Sequence, residues 1–217
     1  MERALADAAR GGPHYLLSVR WPSGDLREMR ARAVVEVARK VAEHKSISKG
    51  LMQAAMFGSQ QASDAWAQAV ANVPAGAAEL AKALEMSHST GRPVSLIAFS
   101  LGCRVVLYAM RAGVIPPGSV ERVVFAGSAA PASAFDVLPP VIESGTGVTH
   151  VFSRRDAILD RLYPLGKDTA RPSGREPLEI PGVENLEVDV GHRSYASIAG
   201  TLWGLALSPG SRPVISL

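Results

Sequence analysis

The pentapeptide Ala98-Phe99-Ser100-Leu101-Gly102 lies between an apolar run, Val94–Phe99, and a helical pattern, Leu101–Ala112. Small residues two before and two after a serine let a strand and a helix pack closely around a sharp turn. Such a turn lifts the serine hydroxyl clear of a sheet. A serine hydroxyl becomes a useful nucleophile once a base takes its proton. The backbone N–H of Leu101, at the start of the helix, would face the oxygen of a substrate carbonyl and hold the charge that develops there. The usual pattern has glycine in the first place, where this chain has Ala98. A plainer role is also open, with Ser100 as the N-cap of the helix that follows. Cys103, one turn further on, reads as a small buried filler rather than a nucleophile.

A base must come from five histidines. His14 precedes the first strand, at its wrong end, and His44 and His88 lie in helical or loop stretches before the serine. His150 falls inside a strand between Val148 and Val151 and reads as a core or edge histidine. His192 directly follows the last strand and is the candidate base, with a surface or helix-capping histidine as its alternative. An acid that orients the imidazole should lie between serine and histidine in chain order. Asp156, just past the strand Val148–Ser153, fits that place and would accept the other ring N–H. It could equally cap the helix Ala157–Tyr163, and the two roles are compatible. Asp160, Asp189, Asp168 and Asp136 are less well placed.

The elements that must carry these residues alternate strand and helix. Apolar runs at Tyr15–Trp21, Val94–Phe99, Val120–Ala126, Val148–Ser153 and Leu186–Val190 read as strands. Helical periodicity begins at Asp25 (Leu26, Met29, Ala33, Val34, Val37, Ala38, Val41). It returns after Pro74 (Ala77, Leu80, Ala81, Leu84), over Leu101–Ala112 with Gly113 just beyond, and over about Ser194–Leu207. The tail from Ser208 to Leu217 reads as loop. Strands apolar on both faces, alternating with amphipathic helices, predict a three-layer αβα sandwich with a mostly parallel sheet of about five strands. Ligands of such sheets sit at the strands' carboxyl ends, where Ser100, Asp156 and His192 all fall. The whole chain is expected to form a single domain. The Ala- and Met-rich stretch 46–90 is a candidate helical cap or lid, with core or oligomer packing as the blander alternative.

Composition excludes several other classes. With 217 residues, 47% hydrophobic and 20% charged, the chain has a globular balance. A net charge of +3, with no long run of Lys or Arg, offers no electrostatic footprint for nucleic acid. One cysteine excludes an internal disulfide framework and a cysteine zinc cage. The start, Met1–Arg10, lacks a signal-peptide core, and no stretch reaches the roughly 18 apolar residues of a membrane span. A cytoplasmic location is therefore expected.

Taken together, these passages resemble the α/β-hydrolase superfamily. More narrowly, the chain is similar to a poorly characterised branch that includes transmembrane-and-coiled-coil proteins and bacterial relatives. Four passages carry the likeness: Asp64-Ala65-Trp66 through Gly76 to Leu80-Ala81; Arg92 through Ser100 to Val105; Val151–Leu159; and Gly182–Asp189 ending at Gly191-His192-Arg193-Ser194-Tyr195. The resemblance implies Ser100 as nucleophile, Asp156 as acid and His192 as base, with no metal or organic cofactor. Complete members carry an earlier strand whose following loop gives a second oxyanion donor, and this chain is expected to begin after it. Either a loop such as Pro22–Gly24 supplies that N–H, or the oxyanion hole is incomplete. The implied activity is that of an esterase- or lipase-like serine hydrolase on a small-molecule or lipid ester. The alternatives are a silent hydrolase-fold scaffold, binding a protein partner or a second copy through 46–88, and a hydrolase-fold acyltransferase.

Overall fold

The computed structural model describes residues 16–18, 63–89, 91, 93–163, 171–207 and 214–216. The helix expected from Asp25, the Pro22–Gly24 loop, His14 and His44, Asp168 and residues 46–62 lie outside them. The described elements run β1 (Leu16–Ser18), α1 (Val73–His88), β2 (Val94–Phe99), α2 (Gly102–Arg111), β3 (Val120–Ala126), α3 (Leu138–Glu143), β4 (Gly147–Phe152), α4 (Ala157–Leu162), β5 (Val183–Glu187), α5 (Ala199–Ala206) and β6 (Val214–Ser216). Short 3₁₀ turns cover Ala132–Val137, Ser173–Arg175 and His192–Ile198. Residues 63–71 are also helical.

The sheet has the order β1-β6-β2-β3-β4-β5, and each pairing is parallel. Side chains of a strand alternate between faces, and the central strands are apolar at both parities. Leu96 and Ala98 of β2, Val123 and Phe125 of β3 and Val148 of β4 join one cluster with Ala77, Leu80 and Leu84 of α1 and Val105, Val106 and Ala109 of α2. Ile97, Val124, Ala126 and Val151 face the other way, onto Ala199, Leu202, Trp203 and Ala206 of α5. The result is the expected three-layer α/β arrangement. Helix α1 begins with Pro74 in its first turn and buries Val73, Gly76, Ala77, Leu80 and Leu84, so this part of the Ala-rich stretch is a layer of the core. Helix α2 ends where Gly113 takes a φ of 66°.

Three expectations are corrected. The tail reads as loop, yet Val214–Ser216 forms β6, wedged between β1 and β2 as a sixth strand. Three residues are too few to display an alternation, and their partners lie far away in sequence. The last long strand pairs over Val183–Glu187 rather than Leu186–Val190. It is an edge strand with only Val183 and Leu186 half-buried, so its apolar signal is weak and its bounds are blurred. Past Glu187 one further bond, Val188 N–H to the Phe152 carbonyl (2.9 Å), continues the pairing before the chain turns away. The closing helix is divided, with a 3₁₀ turn over His192–Ile198 preceding α5. At three residues per turn, His192, Tyr195 and Ile198 share one side, and His192 and Tyr195 are buried.

Between β3 and β4, the segment 172–174 is threaded against both strand exits. Ser173 N–H donates to Ala130 (2.8 Å), Gly174 N–H to Ser128 (3.0 Å), and Ser153 N–H to the Gly174 carbonyl (3.0 Å). The backbones approach so closely that a Cβ on Gly174 would lie 2.3 Å from Ser128 N. Gly174→Ala is therefore expected to lower the unfolding free energy by about 1–3 kcal/mol in urea denaturation. Gly191→Ala, whose Cβ would meet nothing within 4 Å, should change it by less than about 0.5 kcal/mol.

Candidate active site

Ser100 leaves β2 with a φ of 55°, and no other non-glycine residue described has a positive φ. That conformation costs a residue with a Cβ about 1–3 kcal/mol and persists only where its surroundings hold it. Here both of its peptide groups are tied to the neighbouring strand's exit. Ser100 N–H donates to the Ala126 carbonyl (3.0 Å), and the Ser100 carbonyl accepts from Ala129 (3.1 Å) and Cys103 (3.2 Å). Ala98, Ala126, Ala129 and Cys103 pack around the turn with no exposure. The Cys103 thiol contacts the Ala98 carbonyl (3.4 Å) and the Ala126 carbonyl (3.8 Å), which is the filler role read from sequence. Ser100 does not cap the helix, because Leu101 is the N-cap and receives no side-chain cap bond. The Leu101 N–H donates to no backbone carbonyl among the described residues.

The Ser100 hydroxyl reaches His192 Nε2 at 3.0 Å. His192 Nδ1 reaches Asp156 Oδ2 at 2.6 Å. A carboxylate only accepts, so the Nδ1 proton lies toward Asp156 and Nε2 is left to accept from the serine. Asp156 also takes the other role read for it: its Oδ1 accepts from Leu159 N–H (3.0 Å) as the N-cap of α4. The carboxylate is fully buried and His192 is 9% exposed. In such an arrangement the imidazole can take the hydroxyl's proton while the carboxylate holds the ring's orientation.

The three residues follow β2, β4 and β5 (His192 after a short loop), so His192 must cross back over the exits of β4 and β3 to meet Ser100. Gly127, at the end of β3, leaves the room. A Cβ there would meet the Tyr195 ring at 3.0 Å and the Phe99 ring at 3.3 Å. Phe99 and Tyr195 in turn lie beside the imidazole, at ring-centre distances of 4.8 and 6.2 Å, and against each other at 5.2 Å. Sequence reasoning did not single out Gly127 or Phe99 for these roles. The usable signal was the glycine directly after the β3 run and an aromatic directly before the serine. On the other side of this elbow, the turn at Ser100, Leu101 and Trp66 pack against Ala129, Leu159 and Tyr163. Arg104 ties that cluster down through Ala129 O (2.6 Å) and Tyr163 Oη (3.2 Å).

The other candidates lie elsewhere. His88 is exposed at the end of α1. Asp136, Asp160 and Asp189 pair with Arg111, Arg175 and Arg155 at the surface. His150 is buried in β4 between Phe135 and Phe152, with Nδ1 3.3 Å from Asn185 Oδ1. Among the described residues, no three His, Cys, Asp or Glu side chains converge as a metal ion would require. No helix among them is long and apolar enough to cross a membrane.

Residues 44–203 match a family described as "Protein of unknown function (DUF726)". The chain belongs to that family. The DUF726 match spans Ser100, Asp156 and His192 together with the elements that carry them. A curated rice protein (Oryza sativa subsp. japonica), the transmembrane and coiled-coil domain-containing protein STS1, is 33% identical over 144 residues. That alignment takes in 62% of this chain and 21% of the rice protein, so the chain spans about a fifth of that relative's length. No solved structure matches this DUF726 chain.

Burial shifts three groups near this frame. It pushes the Cys103 thiol up to about 12. It also raises the Tyr195 phenol, with help from the charge of Asp156. It lowers His150 from 6.5 to about 4, because the imidazolium would lose its hydration, and the bond to Asn185 only partly offsets this. The folded state therefore resists protonating His150 while the unfolded state does not. Stability from this residue is complete above pH 6.5 and should fall by roughly 3 kcal/mol as pH drops toward 4. Urea denaturation across that range should show the loss, and His150→Gln should flatten it. Cys103 should resist a thiol reagent at pH 8 in the native protein and react fully once unfolded.

Proposed function

We propose that this DUF726 protein is a serine hydrolase of the α/β-hydrolase type, cleaving a carboxylic ester of a small molecule or lipid through an acyl-enzyme. One observation carries the reading: the unbroken line of hydrogen bonds from Ser100 through His192 to Asp156, at 3.0 and 2.6 Å. A serine in a strained turn at a sheet's carboxyl edge supports it further, since strain of this kind concentrates at functional sites.

In the reaction proposed, Ser100 Oγ bonds to the ester carbonyl carbon and its proton passes to His192 Nε2. Asp156 holds the ring in the required tautomer and stabilises the imidazolium. The Leu101 N–H receives the oxyanion. The carbon–oxygen bond to the alcohol then breaks, and His192 returns the proton to the departing oxygen. Water repeats the sequence on the acyl-enzyme and releases the acid. Leu101 supplies one oxyanion donor. The loop Pro22–Gly24, proposed for the second, lies outside the described residues.

A labelled fluorophosphonate should modify the wild-type protein and not Ser100→Ala. Asp156→Asn should lower kcat on a reactive ester by about 10⁴-fold. Folded protein that takes no label, or label that persists in Ser100→Ala, would sink the reading in favour of a silent scaffold.

A further inference from the structure

Two loops must hold a fixed relation for Asp156 and His192 to meet. One leaves β4 at Ser153 and carries Asp156; the other leaves β5 at Val188 and carries His192. The parallel ladder between those strands ends at the pair Phe152 and Glu187. Beyond the single bond from Val188 N–H to the Phe152 carbonyl, the backbones no longer pair. At that point a side chain takes over. Ser153, with no exposed surface, donates its hydroxyl to the Val190 carbonyl at 2.6 Å. The same oxygen accepts from Arg155 N–H at 3.3 Å. The backbone of Ser153 is fixed independently, by its N–H to Gly174 and by its carbonyl, which accepts from Asp156 N–H at 3.2 Å. Val190 is two residues before His192, and Ser153 is three before Asp156.

We propose that Ser153 is a positioning residue, a buried strut that sets the His192 loop against the Asp156 loop and so fixes the length and direction of the bond between the two side chains. The role as a determinant of catalytic rate rests on the hydrolase reading above; the geometric role does not. A second tie joins the same loops, the ion pair of Arg155 with Asp189 (3.0 and 2.8 Å). Both of its side chains are more than 70% exposed, so water competes for it and it constrains little. The two ties make opposite predictions.

The test compares Ser153→Ala, Ser153→Cys, Ser153→Thr and Arg155→Ala with the wild type. Cysteine nearly conserves the volume but donates poorly; threonine keeps the hydroxyl. Two readouts are used: the far-downfield proton NMR resonance of His192 Nδ1–H, identified by its loss in Asp156→Asn, and the rate of fluorophosphonate labelling, with kcat and KM on a reactive ester. Ser153→Ala and Ser153→Cys should broaden or lose the resonance, and should slow labelling and kcat about tenfold with KM unchanged. Ser153→Thr should recover at least half of each, and Arg155→Ala should leave both as in the wild type. The proposal fails if the resonance and rate survive in Ser153→Cys, or if Arg155→Ala matches its losses. If the wild type takes no label, the hydrolase reading fails, while the resonance still decides whether Ser153 is the strut.

Discussion

The site depends on one backbone angle. Ser100 occupies the left-handed region, which an L-residue with a Cβ avoids unless neighbours compel it. The compulsion comes from the exit of β3. Ala126 accepts from the Ser100 N–H, and Ala129 donates to the Ser100 carbonyl. Those two bonds hold both peptide groups of the serine, and four small buried residues exclude any relaxation by repacking. Because the turn is held by backbone bonds, the hydroxyl is left with no structural duty. It is free to face His192.

The second constraint is the crossing. A histidine that follows an edge strand reaches a serine two strands beyond the acid only if nothing stands in between. Gly127 supplies the gap, and the 3₁₀ turn then sets His192 and Tyr195 on one side, where Phe99 lies against both rings. The division of the closing helix is thus tied to the site. In an α-turn His192 and Tyr195 would be offset by about 60° about the axis rather than eclipsed.

Ser100 and Asp156 were legible because each follows a buried apolar run that ends abruptly, and His192 because no other histidine lies both downstream of the serine and past a strand's end. The central strands are buried on both faces, so their sequence is continuous and their bounds clear. That is why Val94–Phe99 and Val120–Ala126 agree with the structure residue for residue. The edge strand is only half-buried and mixes Glu and Asn with Val and Leu, so its bounds were displaced. The roles of Gly127, Phe99, Gly174 and Ser153 were not legible. Each is defined by a close approach between segments distant in sequence, and no local pattern encodes such an approach. Ser100 and Asp156 carried ambiguous signals, since serine and aspartate both cap helices. The structure separates them: the aspartate caps its helix and also holds the histidine, while the serine does not cap at all.

The wedge formed by Val214–Ser216 has a bearing on how the sheet is completed. β1 touches β2 only through β6. During synthesis, β1 is made roughly two hundred residues ahead of β6, the strand that will be its neighbour. Until residues 214–216 emerge, β1 has no partner described here, and the edge of β2 away from β3 has an open row of backbone groups over Ser95–Ile97. Four strands and the elbow can assemble first, from contacts nearer in sequence. The last hydrogen bonds to form would then be those that join β1 to the rest, which is the order expected when distant pairings must wait for loop closure.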